Sequence, residues 1–231
     1  AAHRASLGDK VIRFAPTNFD VISAKWNPLQ RIVQIKDPHQ RMFELQKMAN
    51  LFLQTSSPTG ESFLVGGRMA FVAAAVLAIE RAAPTIGHVF DIINGGGESI
   101  NDQFALYAAE TKDKEAQVLW ESLAKNNDRT LTSYISLLNT SGLDAWQNGR
   151  VKEVTSGSDF DFASIRKQAH SIYLTVNAHD IEPNAGLIRL FFGDLIASLE
   201  HHEPGKDEPW PVMIILDEFH KLGKMPIVTE S

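Results

Sequence analysis

The strongest chemical signal in this chain lies near its end, in Trp210-Pro-Val-Met-Ile-Ile-Leu-Asp-Glu-Phe219. Four apolar residues, Met213, Ile214, Ile215 and Leu216, run straight into an adjacent acidic pair, Asp217 and Glu218. A short continuous apolar run bounded by a turn signal predicts a strand buried on both faces. Carboxylates at the C-terminal end of such a strand stand at the rim of a parallel sheet, where ligands bind. In P-loop NTPases that position is the Walker B site. The aspartate helps to hold Mg²⁺ there, and an adjacent glutamate can polarise the attacking water. A buried strand that merely ends in a charged turn accounts for the same residues, and the strand alone leaves both readings open.

The chain offers no second half to that chemistry. No GxxxxGK[ST] phosphate loop occurs. Gly95-Gly96-Gly97 lacks the Lys-Ser/Thr of such a loop and follows no strand, so it reads as a structural loop. Gly205-Lys206 is followed by Asp207 in a polar loop and does not qualify. Either the phosphate-binding motif lies outside this chain, or the acidic pair is not Walker B. His201-His202-Glu203 lacks HExxH spacing and reads as a solvated helix end, where histidine suits the C-terminal dipole. His220 stands just beyond the acidic pair, where it can contact a nucleotide or substrate or simply pack in a loop. With no cysteine, disulfides and thiolate zinc sites are excluded. A net charge of −6 argues against a strongly basic nucleic-acid binder.

The elements that must position the acidic pair differ in grammar between the ends and the middle. The 231 residues, 44% hydrophobic, suffice for one large core or two small domains. Residues 1–7 look like the tail of a helix stopped by Gly8, and the chain reads as cut from something longer. Residues 11–14 form a short strand, and the β-branched, aromatic run 171–176 forms another. Helical spacing of Leu187, Ile188, Leu190, Phe191, Leu195, Ile196 and Leu199 predicts a helix over 184–199. Strand, helix and the run at 213–216 make a βαβ unit, hence a parallel sheet.

Between residues 37 and 156 no convincing strand appears. Asp37-Pro38 is an N-cap followed by proline at the first helical position, and that helix runs to about Thr55. Residues 56–60 break the chain. A helix over about 61–82 contains the apolar, Ala-rich run 69–79. That run is far below the ~20 residues of a membrane span and reads as the buried centre of a bundle. Further helices start at Pro84-Thr85, at Ser99 (through Tyr107), and cover 112–125 and 128–139. Turns at Asn148-Gly149 and residues 156–159 lead back towards the sheet. Most of Phe43, Phe52, Phe63, Phe71, Phe90, Phe104, Trp120 and Tyr134 are expected in the core. Lys112, Lys114, Lys125 and Arg129 alternate with acidic residues and read as a solvated face.

The tail Ile214-Ile-Leu-Asp-Glu-Phe-His-Lys-Leu-Gly-Lys-Met-Pro226 resembles the Walker B segment of the type IV secretion coupling proteins, the TraG/TraD-like family. The segments Arg4-Ala-Ser-Leu-Gly-Asp-Lys-Val-Ile-Arg-Phe-Ala-Pro16 and Trp26-Asn-Pro-Leu29 fit that family in order. So do the stretches at 71–85, 160–162, 172–174, Asp180 and 187–191. The resemblance implies an incomplete α/β RecA-like P-loop NTPase domain with a large inserted all-α domain. Residues 1–36 would be the first part of the nucleotide-binding domain, 37–156 the inserted substrate-recognition domain, and 157–231 the second nucleotide-binding part. The P-loop and membrane helices would lie upstream, and the sensor and arginine-finger elements after Ser231.

By the same resemblance, Asp217 and Glu218 would be the Walker B residues of an intact parent ATPase. Asp217 would hold Mg²⁺ through water, ATP and Mg²⁺ being the parent's cofactors, while the fragment alone would be inactive and hold no metal. The parent would be a membrane-anchored homo-hexamer on the cytoplasmic face of the bacterial inner membrane, working with other type IV secretion components. Residues 37–156 would dock effector or relaxase proteins, at unspecified residues, and would fold largely independently of the sheet. The alternatives are part of an ATP-driven DNA translocase for conjugation or an FtsK- or HerA-like DNA pump.

Overall fold

In the computed structural model, which describes residues 1–96, 99–200 and 203–216, helices begin largely where the sequence supplies a capping side chain. Helix α1 (Ala2–Ser6) is followed by Gly8 at φ +91°, a left-handed conformation that suits glycine. Strand β1 (Lys10–Phe14) and the one-turn helix α2 (Gln30–Val33) come next. Helix α3 (Pro38–Phe52) starts as its sequence predicts, with the Asp37 carboxylate accepting from Gln40 N–H. Ser57 caps α4 (Pro58–Glu80) and Thr85 caps α5 (Ile86–Asn94). Ser99 caps α6 (Ile100–Glu110), Asp113 caps α7 (Lys114–Ala124) and Asn127 caps α8 (Asp128–Thr140). A 3₁₀ turn (Leu143–Gln147) leads to α9 (Gly149–Val154), capped by Asn148. Strand β2 (His170–Leu174) and helix α10 (Ala185–Glu200) follow.

The expected break at residues 56–60 is thus shorter than its Gly/Ser/Pro content suggests. Ser57 and Pro58 are the N-cap and first position of α4, which helix-start chemistry favours. Helix α6 runs past Tyr107 to Glu110.

Strands β1 and β2 pair in parallel, from Lys10 opposite His170 to Phe14 opposite Leu174. Among the described residues these are the two strands, and everything between them is helix, turn or loop. The expectation of a buried strand at 213–216 is corrected. These residues form no strand, and Met213 and Ile215 are 84% and 83% exposed. An apolar run becomes a buried strand only where neighbouring strands complete its hydrogen bonds and helices cover its faces. Here the run pairs with neither β1 nor β2.

Helix α4 is the centre of the helical region, packed against α3, α5, α7 and α8. It is long and apolar enough to cross a bilayer, with a mean hydropathy of 2.0 over its most apolar 18 residues, but 67% of that window is buried inside the chain. Its apolar surface therefore faces the chain's own core. Phe71 is fully buried and meets Phe52 edge-on at 5.0 Å, and Phe52 meets Trp146 at 6.1 Å. Phe104 and Tyr107 pack on the buried Trp120. Phe43 and Phe63 are corrected from core to surface: Lys47 lies over the Phe43 ring, and Phe63 leans on Tyr134.

Helix α10 lies between the sheet and the helices. Its Phe191 stacks on Phe14 of β1 at 5.3 Å and takes Trp26 and Phe162 edge-on. The opposite side packs on α3. The buried apolar residues of both regions form one continuous cluster.

Candidate functional site

Asp217, Glu218 and His220 lie outside the described residues, as do His201, His202 and Gly97. The segment that leads to the acidic pair is anchored at its start, where Trp210 N–H donates to the Arg166 carbonyl at 3.2 Å and Val212 leans on the core. Gly95 and Gly96 are exposed at the end of α5, and Gly205, Lys206 and Asp207 sit in an exposed turn. Among the described residues, no group of three or more His, Asp or Glu side chains converges in a way that could hold a metal.

The structure instead brings together charges that sequence patterns do not single out. A cleft of about 740 Å³ opens between α3, the α3–α4 connection and α10. Its lining is mainly apolar, with Met48, Leu51, Leu190 and Ala197, and carries hydroxyls of Thr55, Ser56 and Ser57 beside Asn50 and Gln54. That size and composition are those of a ligand pocket, and such pockets favour the seam between structural units. At its base, Arg31 bridges two carboxylates, with Nη1 to Glu44 Oε2 and Nε to Asp194 Oδ1, both at 3.1 Å. Trp26 Nε1–H donates to the other Asp194 oxygen at 3.1 Å, and Lys47 Nζ donates to Glu44 at 2.8 Å.

The two carboxylates feel different balances. Burial pushes the Asp194 carboxyl above the usual carboxylate range, against the pull of Arg31 and Trp26. For Glu44, burial again resists ionisation, but hydrogen bonds from Lys47 and Arg31 outweigh it and hold the group below its ordinary value. Beside the cleft, two arginines grip the C-terminal end of α3. Arg189 Nη2 donates to Phe52 O at 2.6 Å, and Arg68 Nη2 donates to Leu53 O at 2.7 Å. Burial pulls the Arg189 guanidinium down to about 10, so it remains a cation at neutral pH. A cation on helix-terminal carbonyls meets both their missing hydrogen bonds and the dipole.

A signal for these residues exists in the sequence. Glu44 stands four residues before Met48, one turn along the same face, while Arg189 and Asp194 interrupt the apolar face of the predicted helix at 184–199. A charge on an apolar face must find a partner. Spacing does not say which one, because Arg31 and Asp194 are brought together only by the fold.

The family described as "Type IV secretory system Conjugative DNA transfer" matches residues 1–231. The chain is 36% identical over 225 residues to Protein VirD4 of Rhizobium rhizogenes, covering 97% of this chain and 33% of that protein. It is equally similar to Protein VirD4 of Agrobacterium fabrum, over the same shares. The chain thus spans about one third of the length of the curated relatives it matches. Among solved structures, the plasmid coupling protein TrwB in complex with ADP and Mg²⁺ superposes with a TM-score of 0.56 at 15% identity, over 88% of this chain and 49% of that one. The bacterial conjugative coupling protein TrwBdeltaN70 superposes with a TM-score of 0.53 at 16% identity, over 89% and 48%. Those structural likenesses show a shared fold. The match along the whole length shows more: this chain belongs to the type IV secretion coupling protein family, of the TraG/VirD4 kind.

Proposed function

We propose that this chain is the cargo-docking region of a type IV secretion coupling ATPase. Residues 37–156 would be an all-α domain inserted into a RecA-like nucleotide-binding sheet, and their role is to recruit effector or relaxase proteins for export. The observation that supports the insertion is the pairing of β1 with β2. They are parallel neighbours in register, and the whole helical stretch from α3 to α9 lies between them in the chain. A nucleotide-binding sheet needs no such insertion to hydrolyse ATP, so the insertion serves another task. Its connecting residues Ser56 and Ser57 are exposed and border the cleft, and binding residues tend to sit on such loops. The net charge of −6 favours a cargo signal with basic residues, charge acting mainly on the rate of encounter.

In the full-length protein, ATP supplies the driving force. Asp217 would hold Mg²⁺ through water and Glu218 would orient or deprotonate the attacking water. The parent would act as a membrane-anchored homo-hexamer on the cytoplasmic side, beside other secretion components. Glu218→Gln in the full-length protein is expected to cut turnover by about 10²–10⁴-fold, the usual contribution of a general base, while nucleotide binding persists.

A second reading, part of an ATP-driven DNA translocase, is favoured by the family match, whose description names conjugative DNA transfer. Titrating the 231-residue chain with labelled cargo tails and with single-stranded DNA separates the two. Saturable binding of cargo tails without nucleotide is the expected result. Saturable binding to DNA alone would replace cargo docking by the translocase reading.

A further inference from the structure

We propose that α10 is a coupling helix: through Arg189 and its glycine contacts it fixes the exit of α3, so that the sheet and the loop at 53–57 are held in one relative position. The inference rests on the cargo-docking reading for its functional meaning, but its geometry stands independently.

Residues three or four apart share a helix face. Gly186, Arg189 and Gly193 follow that spacing, and each meets the α3 side of the molecule. A Cβ on Gly186 would lie 3.2 Å from the Gly142 Cα, and Gly142 itself takes φ +139°, a conformation suited to glycine. A Cβ on Gly193 would lie 2.0 Å from Leu51 Cδ2. Asp194 reaches Arg31, and Arg189 holds the Phe52 carbonyl. The other face of α10 presents Phe191 to Phe14 of β1. The helix is therefore clamped on both sides, and close-packed contacts of this kind transmit displacement rather than absorb it.

The clamp acts where α3 becomes loop. Phe52 O is one of the terminal carbonyls that an α-helix leaves without an intrahelical partner. The next residues are tied as well: Arg68 holds Leu53 O, and Gln54 N–H donates to Ser141 O at 3.3 Å. Ser141 directly precedes the Gly142 that α10 touches. One helix following β2 thereby sets both the exit of α3 and the turn after α8, and the exit leads into the exposed residues beside the cleft.

Amide hydrogen exchange on the 231-residue chain tests this. Arg189→Met is expected to lower protection at Leu53, Gln54 and Gly142 by about tenfold or more, the scale of a lost charge-assisted hydrogen bond. Protection in α6 and α7 should stay unchanged, and Arg189→Lys should recover part of the loss. An unchanged Leu53 and Gln54, or an equal loss throughout the chain, would overturn the proposal. If Arg189→Met does not fold, Gly186→Ala provides the second test. Its Cβ would stand 3.2 Å from the Gly142 Cα and 3.3 Å from the Gly142 carbonyl, backbone that cannot rotate aside, so it should loosen the same amides; unchanged exchange there counts against the coupling role. Absence of cargo binding by the unaltered chain would sink the docking reading, while the exchange pattern alone decides whether α10 joins the sheet to the exit of α3.

Discussion

Glu44 and Asp194 share Arg31 yet are shifted in opposite senses, and that difference is measurable. The folded-state pKa of Glu44 lies below its ordinary 4.5. Its contribution to stability is fully present above that value and is lost as pH falls through the folded value. The folded-state pKa of Asp194 lies above its ordinary 3.8. Its contribution is fully present below 3.8 and is lost as pH rises through the folded value. Glu44→Gln is therefore expected to flatten the loss of stability on acidification below about pH 4.5, and Asp194→Asn to steepen it. Urea unfolding from neutral pH down to the acid limb reads both slopes. Parallel slopes for all three chains would mean that the Arg31 network does not titrate in this way. Phe71 makes a simpler case. Its ring is fully buried against Phe52, so Phe71→Ala should cost about 3–5 kcal/mol. An equilibrium unfolding loss below ~1 kcal/mol would show that the site collapses or is wetter than its burial indicates. Burial of Phe71 is legible in the sequence because it sits within a long apolar helix. The pairing of Arg31 with Asp194 is not, because it depends on tertiary contact.

At the scale of elements, the legible features are local ones. Asp37, Thr85 and Ser99 mark helix starts because a cap needs only a side chain and an N–H three residues away, whereas Asn148-Gly149, expected as a turn, caps and opens α9. Residues 213–216 show the converse. Their apolar pattern says what a strand there would bury, but a strand exists only with a partner, and the described part of the sheet supplies none. Helix crossings are equally silent in a single sequence. Gly66 and Gly67 sit inside α4, where glycine is costly, because α8 passes close by. A Cβ on Gly66 would stand 2.5 Å from the Tyr134 ring, and one on Gly67 would stand 3.0 Å from both Leu138 Cβ and the Tyr134 carbonyl. The first obstacle is a half-buried side chain and the second includes backbone. Both alanine substitutions should destabilise by about 1–3 kcal/mol through overpacking, offset by up to ~1 kcal/mol of helix propensity. Tyr134→Ala should rescue Gly66→Ala and should not rescue Gly67→Ala. Equal rescue of both, measured by thermal unfolding of the double variants, would show that the helices separate freely.

For the whole molecule the open question is how far residues 37–156 stand alone. Composition separates them cleanly from the sheet segments, and the order of elements supports an inserted unit. The packing adds something that composition does not carry: the buried cluster runs without a gap from Phe14 and Phe191, through Phe52 and Phe71, to Trp146. Phe52 sits at the crossing, with Arg189 on its carbonyl and a Cβ on Gly186 reaching to 3.5 Å from its ring. Excising 37–156 removes α10 and leaves that face of Phe52 and the Phe52 carbonyl without their cover. The helices themselves keep their caps and the α4 core, so the far-ultraviolet signature of helix should survive. Cooperativity should not survive to the same degree. The full chain is expected to unfold in one transition seen alike by aromatic and backbone probes, the test of two-state behaviour. The excised segment should unfold at lower denaturant and over a broader range. If its midpoint matches that of the full chain, the helical region is an autonomous domain and α10 merely rests on it. If it unfolds earlier, the sheet and the helical region share their stability, and anything that displaces the sheet in the full-length protein also strains the exit of α3 and the cleft beside it.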